Sequence, residues 1–161
     1  MIKLTTPRGL PVDVPEALQE DPSPRFTIAQ ISEARRYYQD NGYVIFSKAM
    51  PAQSCDRIRK LWKEEVVPFK GYMYRQATAK AEKHVKNSNG WIMNPILNLQ
   101  SVDPAHFPAF RDFATNDIIA NEDLRDTFAC LLEDAPTIVQ SMYFEGNSAT
   151  WEHQDSYYMD S

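Results

Sequence analysis

The sequence contains no apolar run that approaches the ~20 residues of a membrane-spanning helix. Residues 1–7 also hold no apolar segment as long as the core of a signal peptide. We therefore expect a cytoplasmic protein that has no membrane partner. With 161 residues, of which 43% are hydrophobic, the chain is long and apolar enough to build one globular domain around a core.

Cysteine is also scarce, because the chain has only Cys55 and Cys130. The two residues are far apart, lack the spacing of a cysteine metal site, and each lies in a helical pattern. We expect two buried free thiols rather than a structural disulfide.

Positive charge is missing from the end of the chain, whose net charge is −5 overall. No lysine or arginine follows Arg125, whereas seven acidic residues do: Asp126, Glu133, Asp134, Glu145, Glu152, Asp155 and Asp160. This distribution argues against a nucleic-acid partner and is compatible with a site for a cation. It also leaves this stretch without a lysine or arginine that could bind an anionic co-substrate.

The N-terminal part is rich in proline, with five of the eleven prolines in residues 1–25. We predict an extended arm over 1–25, ordered only where it packs on the domain, and a domain over 26–161. Thr27 and Gln30 form a capping box that begins a helix, and Gly42 ends that helix.

A strand is predicted next over 43–47, followed by a helix over 50–67 with Trp62 in its buried stripe. Residues 70–90 are polar and partly basic, which favours a solvated helix or loop. A competing interpretation makes three lysines of this stretch an electrostatic attraction for an anionic substrate at the mouth of a pocket: Lys80, Lys83 and Lys86.

The second half of the chain again places helices before strand. A helix is predicted from Asp103, with four apolar residues on one side: Phe107, Phe110, Phe113 and Ala114. Asn116 interrupts it, and another helix is capped by Asn121 and ended by Pro136. A strand is predicted over 137–144. Helices thus come first and sheet begins near the end, which is the pattern of an α+β fold whose β part is unfinished.

The stretch that carries chemistry follows this strand and contains His153-Gln154-Asp155. In a strand, residues two apart point to the same side, about 7 Å from each other along the backbone. An imidazole and a carboxylate placed so can converge on one ion, and two histidines with one carboxylate form the facial triad of non-haem Fe(II) oxygenases. Such a pair alone is more often a surface histidine near an acid. The neighbouring aromatic residues and the cation-free surroundings favour the metal site.

Three stretches resemble, in the same order, the phytanoyl-CoA dioxygenase family: 41–45 (NGYVI), 140–146 (QSMYFEG) and 151–158 (WEHQDSYY). The resemblance covers about residues 27–161, and the His-Gln-Asp core is its specific part. It implies an α+β fold in which N-terminal helices precede the first strands of a double-stranded β-helix, or jelly roll. It also implies an Fe(II)- and 2-oxoglutarate-dependent dioxygenase that hydroxylates a C–H bond of a small-molecule substrate.

By this resemblance, His153 and Asp155 are iron ligands, and no residue beyond the metal ligands is catalytic. Asp155 favours hydroxylation over halogenation, because related halogenases carry a small residue at that position. Gln140 and Met142 match a strand face directed at the substrate and 2-oxoglutarate pocket, with a buried polar role as the alternative for Gln140. Asn98 is a further candidate for contact with 2-oxoglutarate, against a purely structural role.

The sequence departs from the family in one respect. The family carries a second iron-binding histidine downstream of the motif and an arginine that binds 2-oxoglutarate beyond it, and this sequence has neither. His84 and His106 lie upstream, outside the family's order. We therefore expect the N-terminal part of a longer oxygenase, which self-associates through unpaired strand edges.

Two other functions compete with this interpretation. One is a non-catalytic small-molecule-binding or assembly domain derived from the same fold, in which the iron site has been lost. The other is a zinc hydrolase that uses the same histidine and aspartate, although the sequence offers no nucleophile or general base at a characteristic spacing.

The isolated 161-residue chain should turn over no 2-oxoglutarate, because it contains two of the three iron ligands and lacks the family's arginine. The measurement is the release of succinate in the presence of Fe(II), oxygen and 2-oxoglutarate. Succinate formed above the protein-free background would contradict this expectation.

Overall fold

The computed structural model describes residues 2–5, 9, 11–14, 16–17, 19, 21–75 and 78–146. The chain divides into two compact units. The first unit is Met1–Ala49 with Asp126–Ala135, and the second unit is Met50–Arg125 with Pro136–Ser161.

Paired strands occur in the first unit where the sequence predicts an extended arm. Strand β1 (Ile2–Thr5) is antiparallel to β2 (Pro11–Val14), and the side chains of β1 are exposed. Strand β3 (Arg25–Phe26) runs parallel to β4 (Ile45–Phe46). Strand β4 is shorter than the strand predicted over 43–47.

The first helix begins where its capping box predicts. Gln30 Oε1 accepts hydrogen bonds from the backbone N–H and the hydroxyl of Thr27, both at 3.1 Å. A 3₁₀ turn (Ile28–Gln30) leads into α1 (Ile31–Asn41). Gly42 has a φ of 78° and donates its N–H to the carbonyl four residues earlier, which ends the helix. The predicted start and end of this helix are confirmed.

Two helices of the second unit continue into a π-helical turn. Helix α2 (Ala52–Leu61) continues into Trp62–Val66, and α3 (Pro108–Phe113) continues into Ala114–Ile119. A π turn uses hydrogen bonds that span five residues instead of four, so it holds one residue more than an α-helical turn. The first of these pairs confirms the helix predicted over 50–67.

The helix predicted from Asp103 starts later than expected. The Asp103 carbonyl accepts the backbone N–H groups of His106 at 3.1 Å and Phe107 at 2.9 Å, which closes a turn before the helix. Helix α3 then begins at Pro108, a residue that suits the first position of a helix. Asn116 does not interrupt the helical structure, because it lies inside the π turn.

The core of the second unit joins these helices to the segments beside them. Its buried members are Trp62, Val66, Met73, Ile92, Ile96, Leu99, Val102, Phe107, Phe110 and Ala114. The Trp62 ring, 2% exposed, stacks on the Tyr143 ring with the centroids 4.2 Å apart, and it lies 5.9 Å from the Phe110 ring. The prediction that Trp62 is a core residue is confirmed.

Residues 70–90, predicted as a solvated helix or loop, contain an antiparallel hairpin. Strand β5 (Met73–Arg75) pairs with β6 (Lys80–Glu82). The first and third side chains of β5 are buried and the second, Tyr74, is 59% exposed. This alternation is typical of a half-buried strand. The hairpin was not predicted because β6 consists mostly of polar residues, which do not form a strand pattern in the sequence.

The strand predicted over 137–144 is mostly wrong. Only β8 (Met142–Tyr143) forms there, antiparallel to β7 (Ile96–Leu97). The ladder ends because Asn98, the residue after β7, has a left-handed φ of 53° and the chain enters a 3₁₀ turn (Leu99–Ser101).

The last helix, α4 (Glu122–Leu132), is capped as predicted, since Asn121 Oδ1 accepts the backbone N–H of Leu124 at 3.0 Å. Thr127 and Leu131 are buried, whereas Phe128 is 49% exposed.

Across the described residues, the eight strands form four separate two-stranded sheets. The jelly roll that the resemblance implies therefore stays a prediction. None of the described helices is long and apolar enough to cross a membrane.

The substitution Phe110→Ala should lower the free energy of unfolding by about 3–5 kcal/mol, because this fully buried ring packs against Trp62 and Tyr143. Phe144→Ala removes the same atoms from a side chain that is 42% exposed in the same unit. It should cost about 1 kcal/mol or less. Urea unfolding followed by circular dichroism measures both, and equal losses would contradict the assignment of the core.

Candidate functional site

The predicted iron ligands, His153 and Asp155, lie outside the described residues, as does the segment predicted to carry them as a strand. Within the part of the chain that the structure describes, no group of three or more histidine, cysteine or acidic side chains is arranged to hold a metal ion. The iron site therefore stays a prediction.

The other three predicted site residues, Asn98, Gln140 and Met142, lie together at the ladder between β7 and β8. Met142 is opposite Leu97. The backbone N–H of Asn98 donates to the carbonyl of Ser141 at 2.6 Å, and Ser141 stands between Gln140 and Met142 in the chain. The fold thus brings the backbone of Asn98 close to the segment of Gln140 and Met142, which is far from it in sequence.

The exposure of these three residues differs. Gln140 is exposed and Met142 is 52% exposed, so both side chains are open to solvent. The Asn98 side-chain oxygen, in contrast, is buried and accepts no hydrogen bond from any described residue. An unsatisfied buried acceptor costs about 1–3 kcal/mol, so a ligand N–H or O–H that reached this oxygen would bind favourably.

Ser141 fixes this ladder, although the sequence did not single it out. Its Oγ accepts the backbone N–H of Leu99 at 2.9 Å and donates to Gln100 Oε1 at 2.8 Å. These bonds hold the turn that follows Asn98. The sequence does contain a sign that Ser141 faces inward. In the strand predicted over 137–144, alternation places Ser141 on the same face as Tyr143, whose ring packs on the core.

The segment that leads toward the motif is attached to the second unit as far as Gly146. Glu145 Oε2 accepts the backbone N–H of Ile92 at 2.8 Å, and the N–H of Gly146 donates to the Ile92 carbonyl at 3.2 Å. A Cβ atom on Gly146 would lie 2.5 Å from Met93 Sδ, so a larger residue there would require the flexible Met93 side chain to move.

A buried cation lies beside a histidine in the second unit. Arg75 is 1% exposed, and its Nη2 donates to His84 Nδ1 at 2.7 Å. Its Nη1 donates to the Pro95 carbonyl at 3.5 Å, while its Nε has no hydrogen-bond partner among the described residues. Because arginine can only donate, we assign His84 Nδ1 as the acceptor and place the ring proton on Nε2, which donates to the Val66 carbonyl at 2.8 Å.

This environment keeps His84 neutral. Burial lowers the pKa of His84, and the positive charges of Arg75 and Lys86 lower it further. Both ring nitrogens are engaged, so neither is free to bind a metal ion. His106 differs, because its side chain is 54% exposed and its Nε2 lies 3.9 Å from the Asp103 carboxylate.

The three lysines predicted to attract an anionic substrate have different surroundings. Lys80 is exposed on β6. Lys83 Nζ lies 5.3 Å from the centre of the Tyr72 ring, and Tyr72 lines a cavity of about 310 Å³. Lys86 Nζ donates to the Val67 carbonyl at 3.5 Å. The attraction of an anionic substrate stays a prediction.

In comparisons with known proteins, no family model, no curated protein and no solved structure matches the chain. The function expected from the resemblance therefore rests on the residues of the sequence, and the His-Gln-Asp motif is the most specific of them.

Stability should depend on the protonation of His84. The folded-state pKa of His84 lies below the ordinary value of 6.5, so the unfolded chain binds the proton more readily than the folded chain. The stabilisation is therefore full above pH 6.5 and is lost as the pH falls through the folded-state pKa, because protonation would place a charge on Nδ1 opposite Arg75. The urea midpoint, measured in steps from about pH 7 to 5, should fall more steeply in the parent than in His84→Gln.

The matched control is His106→Gln, which changes an exposed histidine of the same unit. This variant should keep the pH dependence of the parent. If the midpoints of the parent and His84→Gln fall in parallel, the assignment of a neutral, buried His84 is wrong.

Proposed function

We propose that this chain is part of an Fe(II)- and 2-oxoglutarate-dependent dioxygenase that hydroxylates a C–H bond of a small molecule in the cytoplasm. The observation that carries the proposal is the His153-Gln154-Asp155 motif, which follows 41–45 and 140–146 in the order of the phytanoyl-CoA dioxygenase family. The jelly roll is part of the same proposal.

The donor atoms of the motif suit the metal. A histidine nitrogen and an aspartate oxygen are two of the three ligands in the facial arrangement that Fe(II) oxygenases use. We assign His153 and Asp155 to hold the iron. When bound, iron and 2-oxoglutarate supply the oxidising chemistry, and the carboxylate of Asp155 favours hydroxylation over halogenation.

The β7–β8 ladder supports the part of the proposal that concerns binding of the co-substrate, 2-oxoglutarate. Asn98, Gln140 and Met142, the three candidates for binding 2-oxoglutarate or substrate, meet at this ladder. Asn98 Oδ1 is a buried acceptor that lacks a donor in the described part of the chain. In this proposal Asn98 contacts 2-oxoglutarate through its side-chain NH2, which can donate to a carboxylate, whereas Oδ1 requires a separate donor.

The bonds around Gly146 fix the chain on the N-terminal side of the motif. Glu145 and Gly146 both bond to the backbone of Ile92, and Gly146 precedes His153 by seven residues and Asp155 by nine. The segment that leads to the motif therefore starts from a fixed point of the second unit.

A second candidate function is a non-catalytic domain that binds a small molecule without iron. The observation that favours it is the cavity beside Tyr72, which is formed by described residues and contains no predicted iron ligand. The proposed zinc hydrolase has no comparable support.

Anaerobic titration with Fe(II) tests the proposal. The substitution His153→Ala should weaken iron binding by more than about tenfold, because loss of even an outer-shell partner of a metal ligand costs 10–100-fold. The matched control, His106→Ala, removes a histidine from outside the motif and should bind iron as the parent does. Equal affinity in all three proteins would overturn the iron site and leave the non-catalytic binding domain as the better function.

A further inference from the structure

The second unit contains a cavity that the proposed iron site does not use. It has a volume of about 310 Å³ and lies between Phe69, strand β5 and the segment 97–107. Small-molecule sites begin at about 300 Å³, so the cavity has room for one compact ligand. Its lining includes Phe69, Tyr72, Met73, Tyr74, Val102, Asp103 and Phe107.

Part of this lining is apolar and firmly packed. Met73 is 7% exposed, Val102 is 8% exposed and Phe107 is 2% exposed. All three belong to the core of the second unit, so this part of the lining is backed by other side chains. Such a surface favours the apolar part of a ligand over water.

Aromatic rings form another part of the lining. Phe69 and Phe107 meet edge to face with their centroids 4.9 Å apart. Tyr72 and Tyr74 are 67% and 59% exposed, so burial in the core does not account for these two large side chains. Both residues line the cavity.

One of these rings already attracts a cation. Lys83 Nζ lies 5.3 Å from the centre of the Tyr72 ring, within the distance at which an ammonium group is drawn to the negative face of an aromatic ring. An ammonium group of a ligand would be drawn to the same ring and would have to replace Lys83 there.

The charges of the lining favour a positive ligand. Among the described lining residues, Asp103 is the one acidic side chain, and there is no lysine or arginine. Lys83 is the nearby cation, since its Nζ lies over the ring of the lining residue Tyr72. Asp103 Oδ1 accepts the backbone N–H of Ala105 at 2.8 Å. Its Oδ2 lies 3.9 Å from His106 Nε2, too far for a hydrogen bond, and so keeps its capacity to interact with a cation.

We propose that this cavity binds an organic ammonium cation with compact apolar substituents. The aromatic rings attract the positive charge, Asp103 neutralises it, and the buried apolar residues accommodate the substituents. An anionic ligand of the same size meets the carboxylate and the ring faces and is disfavoured. The site is independent of the proposed iron chemistry, because none of its described lining residues belongs to the motif.

The test compares choline with 3,3-dimethyl-1-butanol, which has the same shape but carries a carbon in place of the charged nitrogen. Binding to the EDTA-treated full chain is followed by isothermal titration calorimetry and by NMR shifts of the tyrosine rings. Choline should bind at least about fivefold more tightly than the alcohol, which is the factor expected from cation–π attraction and one carboxylate together.

Two pairs of variants locate the site. Tyr72→Leu should weaken choline binding about threefold or more, whereas Tyr72→Phe keeps a ring face and should bind as the parent does. Asp103→Asn should also weaken it, and its amide oxygen still accepts the Ala105 N–H, so the turn is kept. The matched control is Asp117→Asn in the π turn after α3, which does not line the cavity and should leave binding unchanged.

Equal affinity for choline and the alcohol would overturn the proposal. Absence of choline binding at about 10 mM would also overturn it, because even a dissociation constant of about 1 mM would give nearly full occupancy at that concentration. If Asp103→Asn and Asp117→Asn weaken choline binding equally, the effect comes from the net charge of the protein and not from Asp103 in the cavity. That result would also overturn the proposal. Circular dichroism of each variant establishes that the chain is folded. Since iron is absent from the experiment, its failure is distinct from failure of the proposed oxygenase function.

Discussion

The indole of Trp62 is the contact on which the second unit depends. It lies in the π turn after α2 and meets Phe110 of α3 at 5.9 Å and Tyr143 of β8 at 4.2 Å. Each aromatic pair contributes about 0.5–1.5 kcal/mol beyond the burial of its area. Because the three residues are far apart in the chain, this cluster is what attaches β8, and with it the segment up to Gly146, to the helices. The Trp62 Nε1 is buried without a partner among the described residues, which offsets part of the stabilisation that the ring contributes.

The ends of the helices could be read from the sequence because they are decided locally. Each capping residue bonds to backbone or side-chain groups within four positions of itself, so its place in the sequence predicts the cap that is observed. These residues are Thr27, Gln30, Gly42 and Asn121. Strand lengths could not be read in this way. The alternating pattern over 137–144 is genuine, yet its ladder is cut short by the left-handed conformation of a residue on the opposite strand, Asn98.

For the candidate site, the sequence predicts those residues that can be recognised by their type and spacing, and it does not predict contacts that form only in the folded chain. His153 and Asp155 were selected by their motif, and Gln140 and Met142 by the face of a strand. The contact between Arg75 and His84 had no sequence signal, because it exists only after the β5–β6 hairpin places residues nine positions apart side by side. The cavity likewise depends on the tertiary approach of β5 to the segment 97–107.

The two π turns bear on the insertions and deletions that the chain can tolerate. Because a π turn holds one residue more than an α-helical turn, removing one residue from Trp62–Val66 would leave a continuous α-helix whose later side chains keep nearly the same direction. Val66 is fully buried, and its carbonyl accepts the proton of His84, so the end of this helix must keep its direction. A residue removed from the regular turns of α2 would instead rotate that end by about 100°. The π turn is thus a place where this helix can lose one residue without losing its contacts.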